Sequence, residues 1–580
     1  MQKIGIGYEN YKEFIEQNLY YVDKTMLAWD LVEKGGKVTL FTRPRRFGKT
    51  LALSMLQTFF ELEYDNDGKE IDKSRYFEGK KIMGAPKEIL SMMGKYPVIN
   101  LSLKSARQPD FISSFKKLRE NIISEIKRHS YLWTQGRLSS ADRKIIEELS
   151  VAGKDRVFED EKSGLAEITR YSTSVKLLSD ALRKDHGRKA LILIDEYDVP
   201  LENAYQEGFY PEMVGFMRSL FESCLKTNDA LEFAVITGCL QICRKSVFTG
   251  MNHLQTDSVR SGAFADAFGF TAQETRQMLE DYGIASKMPE AEAWYHGYVF
   301  GETEIDNPWS ITNYVYGVVN ERKKFPEPYW SNTSSNQIIR ELVAGADAAM
   351  KEDLNRLVEG GTIEKPIHED ITYEEIGESA DNLWNFLFFT GYLKKVSERL
   401  DGDVIVGRLS IPNVEIRSIY KNQIRKWFEK RVQKEDLSPL VRAVLNDDAE
   451  GMEDCINHLM EMMISTFDGA ESFYHGFFLS LLHDVPDYVA RSNREEGNGR
   501  PDIVLYPNKP DLPAILFEVK ARKKFAEMQD GIHEAFSQIR DRRYEEGILD
   551  DGYVESRAYG ICFCQKSCMV KRYTATFDLG

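Results

Sequence analysis

The chain has 580 residues, 42% of them hydrophobic and 29% charged, with a formal net charge of −16. That length calls for roughly three or four domains rather than one core, and no apolar run reaches the roughly 18 residues of a membrane span. The acidic balance excludes nucleic-acid binding by bulk charge and leaves that task to local basic patches.

The first apolar strand is KVTLFT at 37–42, and a helical pattern follows from Thr50 to about Glu63. PVINLSL at 97–103 reads as a second strand, and 110–187 is charged with helical spacing. KALILID at 189–195 and LEFAVIT at 231–237 are continuous β-rich runs, as in strands buried on both faces. Strands alternating with helices predict a parallel α/β sheet. Residues 285–400 read as mainly helical and end in DNLWNFLFFTGYLKK; VSERLDGDVIVGRLSIPN then reads as two strands around an Asp-Gly turn. A helix followed by such a hairpin predicts a winged-helix-like unit. A charged helical stretch from about 413 leads to a last domain with strand signals near 502–506 and 514–520. The expected domains are therefore 1–285, with a helical insertion at about 110–187; 286–412, a helical and winged-helix lid; and 413–580.

Seven scattered cysteines do not form a disulfide framework and fit a reducing compartment. The closest set, Cys562, Cys564 and Cys568 in ICFCQKSCMV, alternates like one buried strand, and its spacing is not that of a zinc knuckle, so structural cysteines are expected. The opening MQKIGIGYENYKEF lacks an apolar signal core, which predicts a cytoplasmic protein with no membrane partner. Basic patches occur at Arg43 to Arg46, Lys421 to Arg431 and Arg540 to Arg543, each readable as a solvated face.

RPRRFGKT lies between the first strand and the first helix. Arg46, Phe47, Gly48, Lys49 and Thr50 match the end of a P-loop. Backbone N–H groups there cradle phosphate oxygens, Lys49 reaches the β and γ phosphates of ATP, and the Thr50 hydroxyl binds Mg²⁺. Arg43 stands where the first glycine of such a loop is expected, and Pro44 follows. The second element is Leu191 to Ile194 followed by Asp195 and Glu196. Asp195 is expected to hold the metal through water and Glu196 to polarise the attacking water. Thr237, at the end of its strand, reads either as a polar sensor beside the γ-phosphate or as a turn residue. Arg244 is a candidate arginine finger.

In GRPDIVLYPNKPDLPAILFEVKA, Asp502 opens one strand while Glu518 and Lys520 lie on the next. Residues two apart in a strand share a face, so Glu518 and Lys520 point together, and a hairpin sets Asp502 beside Glu518. Two carboxylates suit Mg²⁺, and Lys520 then orients or helps deprotonate a water. This is the PD-(D/E)xK nuclease arrangement. Such nucleases place a backbone-contacting Gln on the following helix, here Gln538, and a further metal carboxylate upstream, here Glu471, which is otherwise a helix-start residue. His475 shares the Glu471 helix face and reads as a packed histidine rather than a ligand.

Taken in order, YYVDKT (20–25), TRPRRFGKT (42–50), LILIDEYDVP (191–200), SVFTGMNHL (246–254), WYHGYVFG (294–301), NPWS (307–310), YWSNTSS (329–335), DNLWNFLFFTGYL (381–393), ESFYHGF (471–477), GRPDIVL (499–505) and FEVK (517–520) span nearly the whole chain. The sequence thereby resembles bacterial and archaeal AAA-ATPase-like proteins with a C-terminal PD-(D/E)xK nuclease-superfamily domain. The resemblance implies a P-loop NTPase parallel sheet with a helical and winged-helix lid, followed by a restriction-endonuclease-like α/β domain. It also implies ATP and Mg²⁺ as cofactors and nucleic acid, DNA first, as partner, and it leaves a homo-oligomer open. RPRRFGKT is the usual P-loop of that family. Its Arg after the Thr-Gly of the sensor strand is replaced here by Gln241, and Glu495, in NREE at 493–496, falls in the loop that approaches the metal. Two functions from different classes follow: an ATP-regulated nuclease, or an ATP-gated sensor whose nuclease-like domain only binds. A nucleic-acid remodelling motor ranks below both, because no further helicase-type motifs appear.

Overall fold

The computed structural model describes residues 2–65, 68–153, 158, 160–240, 247–332, 339, 347–369, 372–377, 379–432, 436–461, 471–482, 485–492, 501–509, 511–545, 548 and 552–574, with backbone alone at 161, 331–332, 348, 377, 425–432 and 471–473. The chain forms two compact units, Met1–Ser335 with Thr362–Arg417, and Asn336–Gly361 with Ser418–Gly580.

The first unit is built on five parallel strands, β1 (Val38–Thr42), β2 (Val98–Ser102), β3 (Ala190–Asp195), β4 (Leu231–Gly238) and β5 (Leu254–Asp257), in the order β2-β3-β4-β1-β5. Every residue of β1 and β3 is buried, which is why both read as unbroken apolar runs. β4 lies between β1 and β3, so the carboxyl ends of these three strands emerge side by side. In a parallel sheet that edge is where ligands bind. Helices Phe111–Arg128, Ser140–Leu149, Glu161–Ser172 and Ser174–His186 fill the connection from β2 to β3, as the charged helical stretch foretold. β5, LQTD, escaped the sequence reading because four half-polar residues carry no periodic signal.

The stretch read as mainly helical contributes Tyr298–Phe300, Thr303–Asp306 and Ile363–Pro366 to two small antiparallel sheets, the second completed by the expected hairpin. β6 (Phe270–Thr271), β7 (Tyr298–Phe300) and β8 (Thr303–Asp306) pair in the order β6-β8-β7. Thr271 caps helix Ala272–Asp281 through a reciprocal box with Glu274. β9 (Ile363–Pro366), β10 (Lys394–Asp401) and β11 (Val404–Ser410) pair in the order β10-β11-β9, with helix Ala380–Phe389 between β9 and β10. The Asp-Gly hairpin is present, with Gly402 at φ +63°. Strands of two to four residues are too short for a period-2 pattern to register, which is why β6, β7, β8 and β9 were missed.

The second unit holds β12 (Tyr488–Ser492), β13 (Ile503–Pro507), β14 (Ala514–Ala521), β15 (Ser556–Cys564) and β16 (Ser567–Arg572) in chain order, with β14 and β15 parallel and the other pairs antiparallel. Ile515, Phe517 and Val519 pack with helices Ala449–Glu461 and Glu471–Leu481 on one face. Ala514 and Leu516 pack beneath helix Met528–Asp541 on the other. The cysteine-rich segment is a hairpin rather than one strand, turning at Gln565 (φ +52°). Cys562 and Cys564 join one core and Cys568 the other, and among the described residues no group of three or more His, Cys, Asp and Glu is placed to hold a metal. No described helix is long and apolar enough to cross a membrane.

Candidate active sites

β1 delivers the loop Arg43 to Gly48 to the N-terminus of helix Lys49–Phe60. Arg46 (φ +70°) and Gly48 (φ +84°) both take left-handed backbone. A Cβ on Gly48 would meet nothing within 4 Å, so the glycine answers a conformational demand rather than a tight contact. Arg43, in the place of the missing glycine, does not face phosphate. Its guanidinium is fully buried, pairs with Asp257 of β5, and lies 5.4 and 5.0 Å from the Phe268 and Phe300 rings. Arg45 forks onto both Glu202 oxygens at 2.7 and 2.6 Å, and Arg46 lies 4.4 Å over the Trp309 ring. Of the patch Arg43 to Arg46 only Arg46 stays exposed, so it is not simply the solvated face that its sequence allowed. The Phe47 ring packs on Tyr298 and Phe300, while its carbonyl accepts from Gly269 N–H.

Lys49 Nζ donates to the Arg43 and Pro44 carbonyls at 2.8 and 2.9 Å, folding the ammonium into its own loop. Thr50 Oγ1 donates to Asp195 Oδ2 at 2.7 Å, and Thr237 Oγ1 donates to Asp195 Oδ1. Two hydroxyls from distant stretches thus converge on the buried Asp195 carboxylate. Hydroxyl and carboxylate oxygens are the donors a hard dication takes, so the Thr50–Asp195 pair fits Mg²⁺. Glu196 follows at φ +52°, and burial, then the neighbouring Asp195 charge, raises its carboxyl above the usual range. Asp198, not singled out from sequence, accepts from Cys239 and Leu240 N–H at 2.7 and 3.2 Å and fixes the chain leaving β4. A cavity of about 460 Å³ opens above the loop, with Gly5, Tyr8, Lys49, Glu196, Met278 and Trp309 in its wall. Gln241 and Arg244 lie outside the described residues.

In the second unit Asp502 immediately precedes β13, and its Oδ2 accepts from Val519 N–H at 2.9 Å. This bond sets the carboxylate against β14 beside Glu518. His475 Nε2 donates to the Asp502 carbonyl at 2.9 Å, which makes the histidine a backbone brace. Glu518 and Lys520 continue the Ala514 and Leu516 face beneath helix Met528–Asp541. Glu518 is fully buried; Oε1 accepts from Lys520 Nζ at 2.8 Å, and Oε2 has no hydrogen-bond partner among the described residues. Burial, reinforced by the Asp502 charge, pushes the Glu518 carboxyl up to about 7. Lys520 Nζ also donates to Gln538 Oε1 at 2.8 Å, and Gln538 Nε2 donates to the Tyr544 hydroxyl at 3.2 Å. Gln538 therefore holds the lysine. Tyr544, six residues on, was missed; its only sequence signal is a position in the same helical region. An unpartnered buried carboxylate oxygen costs several kcal/mol unless it is protonated or coordinated. The oxygen-only pair Asp502 and Glu518 thus fits a hard dication. The Glu471 side chain and Glu495 lie outside what is described.

A P-loop-like turn at the carboxyl edge of a parallel sheet and a D…ExK pair beneath a helix define a chain of two modules, ATPase-like and nuclease-like. Residues 5–248 match the family model of predicted AAA-ATPases, AAA-ATPase-like, and residues 469–573 match that of the PD-(D/E)XK nuclease superfamily. The chain joins an AAA-ATPase-like domain to a C-terminal PD-(D/E)XK nuclease-superfamily domain. It is also similar to an uncharacterized protein in the vnfD 5′ region of Azotobacter chroococcum mcd 1, 23% identical over 486 residues covering 83% of this chain and 78% of the relative.

Proposed function

We propose that the chain is an ATP-regulated, Mg²⁺-dependent nuclease acting on DNA, with ATP bound and hydrolysed within 1–285, a lid over 286–412 and the nuclease module over 413–580. The observation that carries the nuclease reading is the Glu518 Oε2 atom, buried beside Asp502 without a partner among the described residues. Asp502 and Glu518 supply oxygen ligands, Lys520 orients the attacking water, and Gln538 keeps the Lys520 ammonium in place. When bound, Mg²⁺ neutralises phosphate charge and lowers the pKa of a coordinated water.

In the ATPase module Lys49 exchanges the Arg43 and Pro44 carbonyls for the β and γ phosphates, a trade of neutral acceptors for charged ones. Thr50 and Asp195 would hold the metal with Thr237 orienting Asp195, and Glu196, its carboxyl raised by burial and the Asp195 charge, would take a proton from the attacking water.

The test incubates the full chain with plasmid, single-stranded DNA and RNA, with Mg²⁺ or Mn²⁺, with and without ATP. Cutting is expected to fall below detection in Asp502→Ala, and its ATP dependence is expected to vanish in Lys49→Ala. An Asp502→Ala protein that cuts like wild type would falsify the nuclease reading. The net charge of −16 favours a second reading, an ATP-gated sensor whose nuclease-like module only binds; nucleotide binding with no cutting of any substrate would select it.

A further inference from the structure

The strand that carries Glu518 and Lys520 runs out into Ala521-Arg522-Lys523-Lys524-Phe525. β14 stops at Ala521, and a short 3-10 turn, Phe525–Glu527, leads into helix Met528–Asp541, which returns Gln538 to Lys520. Both ends of this connection are therefore anchored at the nuclease-like site. Arg522 serves as the anchor: its backbone N–H donates to the Phe563 carbonyl at 2.8 Å, and its guanidinium pairs with Glu534 of the helix.

The next three residues face water. Lys523, Lys524 and Phe525 are all exposed. Lys524 reaches Glu527 only at 3.7 Å, with its own side chain 78% exposed. Phe525 is 68% exposed, while Met528, three residues later, is 1% exposed and fills the core under the helix. The apolar face of the helix is thus satisfied without the phenylalanine, and leaving that ring in water forfeits roughly 2 kcal/mol of burial. Among the described residues of this unit, Phe525 is the only aromatic side chain among the exposed large hydrophobic ones.

An exposed ring flanked by two solvated ammonium groups matches an unpaired base stacked on the ring with its neighbouring phosphates neutralised. A duplex keeps its base faces stacked inside, so it offers this tip phosphates and no stacking surface. From Met528 to Gln538 the helix rises about 15 Å, which keeps the tip within a few nucleotides of Lys520.

We infer that Lys523, Lys524 and Phe525 form a stacking platform for single-stranded nucleic acid at the rim of the nuclease-like site, so that the strand led to Glu518 and Lys520 is an unpaired one. The inference rests on the nuclease reading for what happens to that strand, and binding is measured separately from cutting.

The full chain in EDTA is titrated against fluorescein-labelled oligothymidylate and against a duplex of equal length, both followed by anisotropy. Phe525→Ala is expected to weaken oligothymidylate binding ~10- to 100-fold, the loss of one or two stacked bases, with duplex binding unchanged and Phe525→Tyr retaining wild-type affinity. Lys523→Ala with Lys524→Ala weakens both ligands and lowers the single-strand salt slope by about 0.7 per lysine. Phe525→Trp adds an indole whose emission is quenched by oligothymidylate and not by duplex. Unchanged oligothymidylate binding in Phe525→Ala overturns the inference and marks the tip as a protein contact; equal losses for both ligands overturn it in favour of phosphate contact alone. Single-strand binding that depends on Phe525, in a wild type that cuts nothing, sustains the platform while the nuclease reading fails.

Discussion

Glu415 is a fully buried carboxylate that accepts from Trp330 N–H on Oε1 and from the Ser310 hydroxyl on Oε2, each at 2.8 Å. Burial outweighs these hydrogen bonds and pushes its carboxyl up to about 7. The folded protein therefore holds this proton between about pH 4.5 and 7, where the unfolded chain has released it. The folded state binds more protons in that window, so stability falls as the pH rises through it. Glu415→Gln keeps an acceptor for Trp330 and a donor for Ser310 and removes the titration. Wild type is expected to lose on the order of 3 kcal/mol between pH 4.5 and 8 from this group, and the variant none of it. Urea midpoints across that range decide the matter; parallel curves would refute the assignment. The same burial logic separates the two Glu518 oxygens, one on Lys520 and one without a partner among the described residues. The sequence reading reached the pair Glu518 and Lys520 because period-2 geometry is local. It did not reach Tyr544 or Asp198, whose partners lie across a turn and across two strands.

The loop between β1 and its helix is held from outside its own strand. Arg43 reaches to β5, and the Arg45 carbonyl accepts from Trp330 Nε1 at 3.2 Å and Asn307 Nδ2 at 3.4 Å. Asn307 also caps helix Pro308–Asn320 through the Trp309 and Ser310 N–H groups, so one side chain couples that helix to the loop. In a glycine-rich loop the first glycine gives backbone freedom; here an arginine instead clamps the loop to β5. Arg43→Gly restores the usual glycine and leaves Asp257 buried without its cation. It is expected to destabilise the first unit by about 3–5 kcal/mol, whereas adding Asp257→Asn recovers part of the loss. A double-mutant cycle on the unfolding of the first unit checks this, and additive losses would remove the pair from the account.

For the whole molecule, nucleotide binding is a stability statement. A ligand that binds only the folded state adds about 2.7 kcal/mol at one hundred times its dissociation constant. ATP with Mg²⁺ is therefore expected to raise the melting temperature of wild type by several degrees and that of Lys49→Ala by none. A calorimetric scan with equal shifts in both proteins would show that the ligand binds elsewhere. By itself the sequence determined the classes of the two modules, the β1 and β3 strands, the helical insertion and the position of GKT, Asp195-Glu196 and Glu518-Val519-Lys520 along them. All of these rest on hydrophobic periodicity and residue chemistry within a few positions. Only the tertiary structure decided that β4 lies between β1 and β3, which brings Thr50 and Thr237 onto Asp195, and that Arg43 belongs to Asp257. Only it placed Phe525 in water beside the nuclease-like site. Those outcomes depend on which strand pairs with which over more than a hundred residues and on which side chains the core leaves out, and no local period encodes either.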